Sequence, residues 1–152
     1  MMRLYSILLV ASMLFLSGCS KQKLPDGMPK LMAVDLTIMQ DGAPLDGAIV
    51  SLLPLDVNSR WNASGTTGKD GKAKMRTLAK YDGAAEGKYK VTVVKTYIEP
   101  LPPGLTQPEI RSYVLPPPVE YVHKNFAVPK TTPLELEVGS KPVKQTFEVE
   151  KP

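Results

Sequence analysis

The stretch GKYKVTVVKTY at residues 87–97 has the most regular pattern in the chain. Through it Tyr89, Val91 and Val93 alternate with lysines and a threonine, so apolar side chains recur at every second residue. A period of two places the apolar residues on one face of an extended strand and the polar residues on the other. The stretch therefore predicts a β-strand with one face in a hydrophobic core.

The same period appears on both sides of this stretch, and turn dipeptides such as Asp41-Gly42 separate the segments. About seven short strands of this kind, with no convincing helix, predict an all-β domain, an antiparallel β-sandwich over residues 31–150. We expect the last two segments to form a hairpin across residues 139–142. The other segments are LMAVDLTIMQ (31–40), AIVSLLPL (48–55), a weaker one at 61–67, KAKMRTL (72–78), LELEV (134–138) and VKQTFEVE (143–150).

Composition limits the class of protein. The chain has 152 residues, which is enough for one domain with a hydrophobic core. Its 15 prolines favour loop-rich β structure, because proline is excluded from helix interiors and central strands. The formal charge is +4, but no arginine cluster with interleaved aromatic residues is present, so we expect no nucleic-acid partner.

Charges of opposite sign occupy different strands. Lys72, Lys74 and Arg76 take the outward positions of one middle segment, and Glu135 and Glu137 those of a late one. Two interpretations stay open: opposite charges pair across neighbouring strands, or they form two separate charged patches that steer a partner.

The first 20 residues, MMRLYSILLVASMLFLSGCS, have the composition of an export signal. Arg3 provides a short positive start, and the apolar stretch after it is too short to cross a bilayer, which takes about 20 apolar residues. A twin-arginine pair is missing, so we expect the general secretory route. We predict that residues 1–18 are a signal peptide that is removed.

The end of this signal, Leu16-Ser17-Gly18-Cys19, resembles the lipobox of bacterial lipoproteins. The resemblance implies a diacylglycerol on the Cys19 sulfur, cleavage before Cys19, and acylation of the new amino terminus by a chain such as palmitate. Several acyl chains hold a protein on a membrane more firmly than one. In that family Ser20, rather than aspartate, after the cysteine implies the cell outer membrane. The alternative is an ordinary signal peptide whose cleavage leaves Cys19 as a free thiol.

Residues 19–30 continue from the lipid attachment point as a tether. They contain two prolines and a glycine and show no periodicity. The eleven residues 20–30, taken as a flexible chain, have a root-mean-square span of about 18 Å, close to the radius of one domain. We expect the tether to hold the domain near the lipid surface.

Three segments carry a resemblance to a known fold: GAPLDGAIV (42–50), TGKDGKA (67–73) and EGKYKVTV (86–93). Together they resemble the carboxypeptidase regulatory-like domains of the prealbumin (transthyretin-like) group. The tail from residue 128 resembles the last hairpin of small bacterial lipoproteins that carry this fold as their only domain. The resemblance implies a prealbumin-like sandwich of about seven strands and specifies fold better than function.

Residues 98–133 are too long for an ordinary connection, because loops beyond about 12–15 residues are usually functional or disordered. Their run Pro116-Pro117-Pro118 favours polyproline II. In one interpretation the loop folds back and covers an open edge or end of the sheets with its aromatic side chains. In the other it presents Tyr113 and Tyr121, with Trp61, to a sugar or a protein.

Residue types for catalysis or metal binding are scarce. His123 is the single histidine, which excludes a zinc site built from several imidazoles, and an acylated Cys19 is neither nucleophile nor ligand. Asp70 in GKDGK lacks the alternating carboxylates of a calcium loop, so a hairpin turn explains it. We therefore expect no enzyme, no catalytic residue, no cofactor and no metal. A hydrolase of the transthyretin-like group would need a cleft that joins His123 to an arginine.

These observations predict a lipid-anchored, non-enzymatic protein of the cell envelope. Its partners would be the membrane, through the acyl chains on Cys19, and another envelope protein bound by a structural or protein-binding module. A carbohydrate-binding accessory lipoprotein is the alternative. It requires exposed aromatic rings at Trp61, Tyr113 or Tyr121.

Overall fold

The stretch with the strictest alternation forms a long strand that is paired on both edges. A computed structural model describes residues 23–152, so the predicted signal peptide and Cys19 lie outside the described residues. Gly87–Val94 is the strand, and its Tyr89, Val91 and Val93 are fully buried. One face of this strand is thus buried in the hydrophobic core, as predicted.

The regular secondary structure of the described residues is almost entirely strand, which confirms an all-β fold. A short helix, α1 (Gln107–Ser112), and a 3-10 turn (Lys124–Phe126) interrupt the strands. The strands are β1 (Leu31–Met32), β2 (Val34–Gln40), β3 (Ala43–Pro44), β4 (Ile49–Pro54), β5 (Ala63–Thr66), β6 (Lys72–Lys74), β7 (Arg76–Thr77), β8 (Tyr81–Asp82), β9 (Ala84–Ala85), β10 (Gly87–Val94), β11 (Thr96–Tyr97), β12 (Val119–Glu120), β13 (Glu135–Val138) and β14 (Val143–Val149).

Two main sheets enclose one core. The first has six strands in the order β13-β10-β4-β5-β7-β8, and the second has four, with β14, β3 and β6 all paired to β2. Their inward faces supply Leu36 and Ile38 from β2, Val50 from β4, and Phe147 from β14 to a single cluster of buried side chains. Leu36, Ile38 and Phe147 alternate with polar residues in the sequence, and their burial is what that period of two predicts, whereas Val143 at the start of β14 is only partly buried.

Tight turns account for the short connections. Asp41 and Gly42 both have positive φ, at 52° and 75°, and join β2 to β3 with Gln40 opposite Ala43. Two positive φ values in a two-residue loop define a type I′ turn, whose twist suits a hairpin. The predicted turn at Asp41-Gly42 is confirmed.

The segment KAKMRTL contributes to both sheets. β6 pairs with β2, and after Met75 the chain continues as β7, which pairs with β5 in the six-stranded sheet. Ala73, Met75 and Thr77 are nevertheless all buried, as their alternation predicts. A continuous period of two is therefore compatible with a change of sheet at Met75.

The predicted hairpin between the last two strands is wrong. β13 pairs antiparallel with β10, whereas β14 pairs with β2 in parallel, with Phe147 opposite Ile38. Residues 139–142 therefore carry the chain from one sheet to the other. The reason is that both strands bury one face, and each gains more by closing an edge of a different sheet over the shared core than by pairing with its neighbour.

Candidate binding surfaces

A two-stranded arm leaves the sandwich at the end of β10. β11 pairs antiparallel with β12, with Tyr97 opposite Val119, and α1 lies in the connection between them. We name residues 96–120 the arm. The sequence predicted a long loop at residues 98–133, and the structure divides it into this arm and a following segment, 121–133.

The arm exposes an unusual amount of apolar surface. Val114 is 87% exposed, and no residue of α1 is buried. Soluble proteins often expose single apolar side chains, but a contiguous set usually marks an interaction surface. The other large apolar residues that the arm exposes are Tyr97, Ile98, Leu101, Ile110, Leu115 and Val119.

Two tyrosines share one face at the base of the arm. Tyr97 lies opposite Val119 in the register of the two strands, and Tyr121 comes two residues after Val119. Side chains in these two relationships point to the same face of a sheet, so Tyr97, Val119 and Tyr121 share a face. Tyr121 is 43% exposed and Tyr97 51% exposed. The Nζ of Lys95 lies 5.2 Å from the centroid of the Tyr121 ring, which is cation–π range.

The segment after the arm returns to the sandwich and covers one of its ends. The N–H of Tyr121 donates to the carbonyl oxygen of Lys95 at 2.9 Å, and Gln40 Nε2 donates to the carbonyl oxygen of Tyr121 at 2.8 Å. Phe126 is buried in the core cluster. Residues 121–133 therefore fold back over an open end of the sheets, as one interpretation of the long loop predicted, and Phe126 is the aromatic side chain that covers it. The arm stays exposed.

His123 has a structural place in this segment. The imidazole Nδ1 of His123 accepts a 3.3 Å hydrogen bond from the backbone N–H of Asn125. The backbone N–H of His123 donates to the carbonyl oxygen of Glu150 at 2.8 Å. Arg76 pairs with Asp82 at 3.1 Å, and Arg60 and Arg111 are exposed. Among residues 23–152, no three His, Cys, Asp or Glu side chains are grouped as a metal site would require.

Trp61 lies at the other end of the sandwich from Tyr121. It is half-buried and lines a hollow of about 160 Å³ together with Pro29 and Gly87. Gly87, beside Trp61, begins β10, and Lys95, which bonds Tyr121, follows the end of β10. About 26 Å of extended chain separates Gly87 from Lys95. The structure therefore does not bring Trp61 together with Tyr121.

Tyr113 lies within the arm, directly after α1, and is half-buried. The absence of a helical period predicted no helix here, although TQPE at 106–109 has the signature of a helix start. The Glu109 carboxylate accepts hydrogen bonds from Thr106 Oγ1 at 2.6 Å and from the Thr106 N–H at 2.8 Å. These bonds hold the pKa of Glu109 below its ordinary value, with the hydroxyl bond the larger cause.

A cationic groove forms the second surface. Lys72, Lys74 and Arg76 line a groove of about 620 Å³ together with Ser64 and Thr66 of β5. The floor is tight, since a Cβ built on Gly65 would lie 2.5 Å from the carbonyl oxygen of Lys74. The sequence identified the three cations, but it did not indicate that β5 would face them.

Cross-strand ion pairing explains Glu135, whereas the ion pairs of the groove are local in sequence. Lys90 Nζ lies 2.7 Å from Glu135 Oε1 across the β10–β13 pair. That hydrogen bond, and then the charge of Lys90, lower the pKa of Glu135. Two cations of the groove have ion pairs close in sequence: Lys72 lies 3.5 Å from Asp70, and Arg76 pairs with Asp82. Lys74 lies opposite Asp35 in the β2–β6 register. The pairing interpretation is thus confirmed at Glu135, and a separate cationic patch exists as well.

The N–H of Lys72 donates to the Asp70 carboxylate at 3.1 Å. This hydrogen bond is the largest cause of the lowered pKa of Asp70. The Gly71 N–H also donates to the carbonyl oxygen of Gly68, at 2.8 Å, which closes the turn. Asp70 therefore acts as the turn residue that the sequence predicted.

Within residues 23–152, no helix has both the length and the apolar character that crossing a bilayer requires. Comparison with protein-family models gave no match, and comparison with curated protein sequences gave none either. Among solved structures, the chain is similar to a 9R-lipoxygenase from Cyanothece PCC8801, with 12% identity and a TM-score of 0.35 over 86% of this chain. The match spans 18% of the lipoxygenase chain. At that TM-score it supports no conclusion about fold or activity.

Proposed function

We propose that the protein is a lipid-anchored, non-enzymatic binding protein of the cell envelope, exported by the general secretory route. Acyl chains on Cys19 hold it in the outer membrane, and another envelope protein binds to the arm at residues 96–120. The prealbumin-like sandwich serves as the rigid body between the two.

The observation that carries the proposal is that the tether and the arm leave opposite ends of the sandwich. Pro29, near the end of the tether, lines the same hollow as Gly87 at the start of β10. The arm begins at Thr96, just after β10 ends. A chain anchored at Cys19 would therefore keep its tethered end near the lipid and extend the arm away from it.

The chemistry of the arm favours a protein partner with an apolar groove. Leu115 and Val119 are about half-exposed and flank the Pro116-Pro117-Pro118 run. A polyproline segment is already stiff, so it loses little conformational entropy when it docks on aromatic side chains of a partner. The base of the arm is fixed through the backbone of Tyr121, which further limits the entropy lost on binding.

A glycan is the second candidate, and the shared face of Tyr97 and Tyr121 favours it. Both rings are exposed, and a sugar ring could pack on either of them. Lys95 lies over the Tyr121 ring, so a glycan there would have to displace the lysine or use Tyr97. Trp61 and Tyr113, which the carbohydrate-binding hypothesis also named, are half-buried.

Site-specific photocrosslinking in cells tests the proposal. A photoreactive amino acid replaces Val114 on the arm, and the control places it at Val57, which is 94% exposed and follows β4 at the tethered end. We expect reproducible protein adducts from position 114 that position 57 does not give. The same adducts from both positions, or glycan adducts alone from position 114, would contradict binding of a protein by the arm.

The anchor is tested separately. We expect Cys19→Ser to abolish fatty-acid labelling and to move the protein from the membrane fraction to the soluble fraction. Unchanged membrane retention of this variant would show that Cys19 is not the anchor, whatever the arm binds.

A further inference from the structure

We propose that the cationic groove is a second binding site and that it takes an extended acidic segment of a protein. Lys72, Lys74 and Arg76 would each bind one carboxylate of that segment. The inference is independent of the arm and of the proposed lipid anchor.

The spacing of the three cations supports an extended ligand. They occupy alternate positions of one nearly continuous strand, β6 and β7, and all three are exposed. Alternate residues of a strand are about 6.7 Å apart. A peptide in extended conformation that has an acidic residue at every second position repeats its carboxylates at the same distance, so each can meet one cation.

Carboxylates already bind two of these cations. Asp70 lies 3.5 Å from Lys72, and Asp82 lies 3.1 Å from Arg76. All four side chains are more than half exposed, and exposed ion pairs of this kind are weak and easily exchanged. Lys74, between them, lies opposite Asp35 of β2. Within residues 23–152 it makes no ion pair closer than 4 Å, so a ligand carboxylate can approach its ammonium group.

The lining of the groove favours a peptide ligand. The groove is an open hollow in which the three cations share one surface with side chains of β5. Ser64 and Thr66 of the neighbouring strand β5 also line the groove, and their hydroxyl groups can donate to carboxylates or to a peptide backbone. Lys72 and Lys74 also border a hollow of about 280 Å³ that is lined by Lys144 of β14 and by Asp35 of β2, the strand between them.

Fluorescence anisotropy on the full-length protein in detergent tests the site. The probe is a labelled heptapeptide in which four glutamates alternate with three threonines, and the comparison peptide has the same residues with the glutamates consecutive. We expect the alternating peptide to bind more tightly. The triple variant Lys72→Gln, Lys74→Gln, Arg76→Gln should weaken its binding by about tenfold, which the loss of three exposed ion pairs allows.

The matched control is Lys124→Gln, Lys130→Gln, Lys141→Gln, which removes the same formal charge from exposed positions that do not line the groove. We expect it to change the affinity by less than about twofold. The double variant Lys72→Arg, Lys74→Arg replaces both lysines but keeps their charges, so it should still bind the alternating peptide. Binding by this variant would show that the groove tolerates substitution and that the triple variant loses affinity because it loses charge. Equal weakening by both triple variants, or equal affinity for both peptides, would overturn the proposal. Stronger groove-dependent binding to phosphatidylglycerol vesicles than to the peptide would overturn it in favour of a membrane contact.

Discussion

Thr132 binds the backbone of β10 through its side chain, 41 residues from its partner Val91. Its Oγ1 donates a 2.7 Å hydrogen bond to the carbonyl oxygen of Val91 in the buried interior. The same oxygen accepts a 3.3 Å hydrogen bond from the N–H of Leu134. This residue therefore fixes the place where the chain returns from residues 98–133 to the six-stranded sheet.

Thr132→Val should destabilise the protein by about 1–3 kcal/mol, because it leaves a buried carbonyl group without this donor while it preserves the shape of the side chain. Thr131→Val is the control. The Thr131 hydroxyl also bonds a carbonyl oxygen, that of Asn125, but at the surface, so we expect a loss below about 1 kcal/mol. Urea unfolding of both variants measures the difference, and equal losses would contradict a special role for Thr132.

The two parts of residues 98–133 should respond differently to substitution. Phe126→Ala removes a buried aromatic side chain from the core cluster and should cost about 3–5 kcal/mol. Val114→Ser changes a side chain that is 87% exposed and should alter stability by less than about 0.5 kcal/mol. Thermal unfolding is the measurement. A large loss at Val114 would mean that the arm is part of the core.

The crossing of β5 and β6 should not tolerate a side chain at Gly65. An added Cβ would lie 2.5 Å from the Lys74 carbonyl oxygen, and backbone cannot move aside as a flexible side chain can. We expect Gly65→Ala to cost about 1–3 kcal/mol. Gly139→Ala, where an added Cβ meets no atom within 4 Å, should be nearly neutral in the same unfolding assay. If the two variants unfold alike, β5 and β6 are not in close contact.

The carboxyl group of Glu135 should report its contact with Lys90. The hydrogen bond and the charge of Lys90 lower the pKa of Glu135 in the folded protein. A lowered folded-state pKa means that the pair stabilises the fold above the ordinary pKa of glutamate, and that this contribution is lost as the pH falls through the folded-state pKa. Lys90→Met should therefore raise the pKa of Glu135, as followed by NMR titration, and its effect on stability should shrink in acid. Lys124→Met should leave that pKa unchanged, and a similar rise there would point to general charge rather than to Lys90.

The sequence contains only a weak signal for the helix α1. Six residues are too few to show a helical period, so the pattern of apolar residues could not identify the helix. The Thr106 and Glu109 pair was readable as a helix start, although a neighbouring proline-rich sequence favoured a loop. The exposed apolar side chains of the arm were not predictable at all, because exposure depends on what else packs nearby.

The sequence by itself determined which residues face the core and where the tight turns fall. Leu36, Val91 and Phe147 are buried as their alternation predicts, and Asp41-Gly42 makes its turn, because strand pleat and turn conformation depend on neighbouring residues alone. Only the tertiary structure decided that β14 pairs in parallel with β2, that KAKMRTL changes sheet at Met75, and that the arm and Trp61 lie at opposite ends of β10. An extended strand can offer its backbone hydrogen bonds to any other strand, so its partner is set by which surfaces are buried together rather than by its own residues.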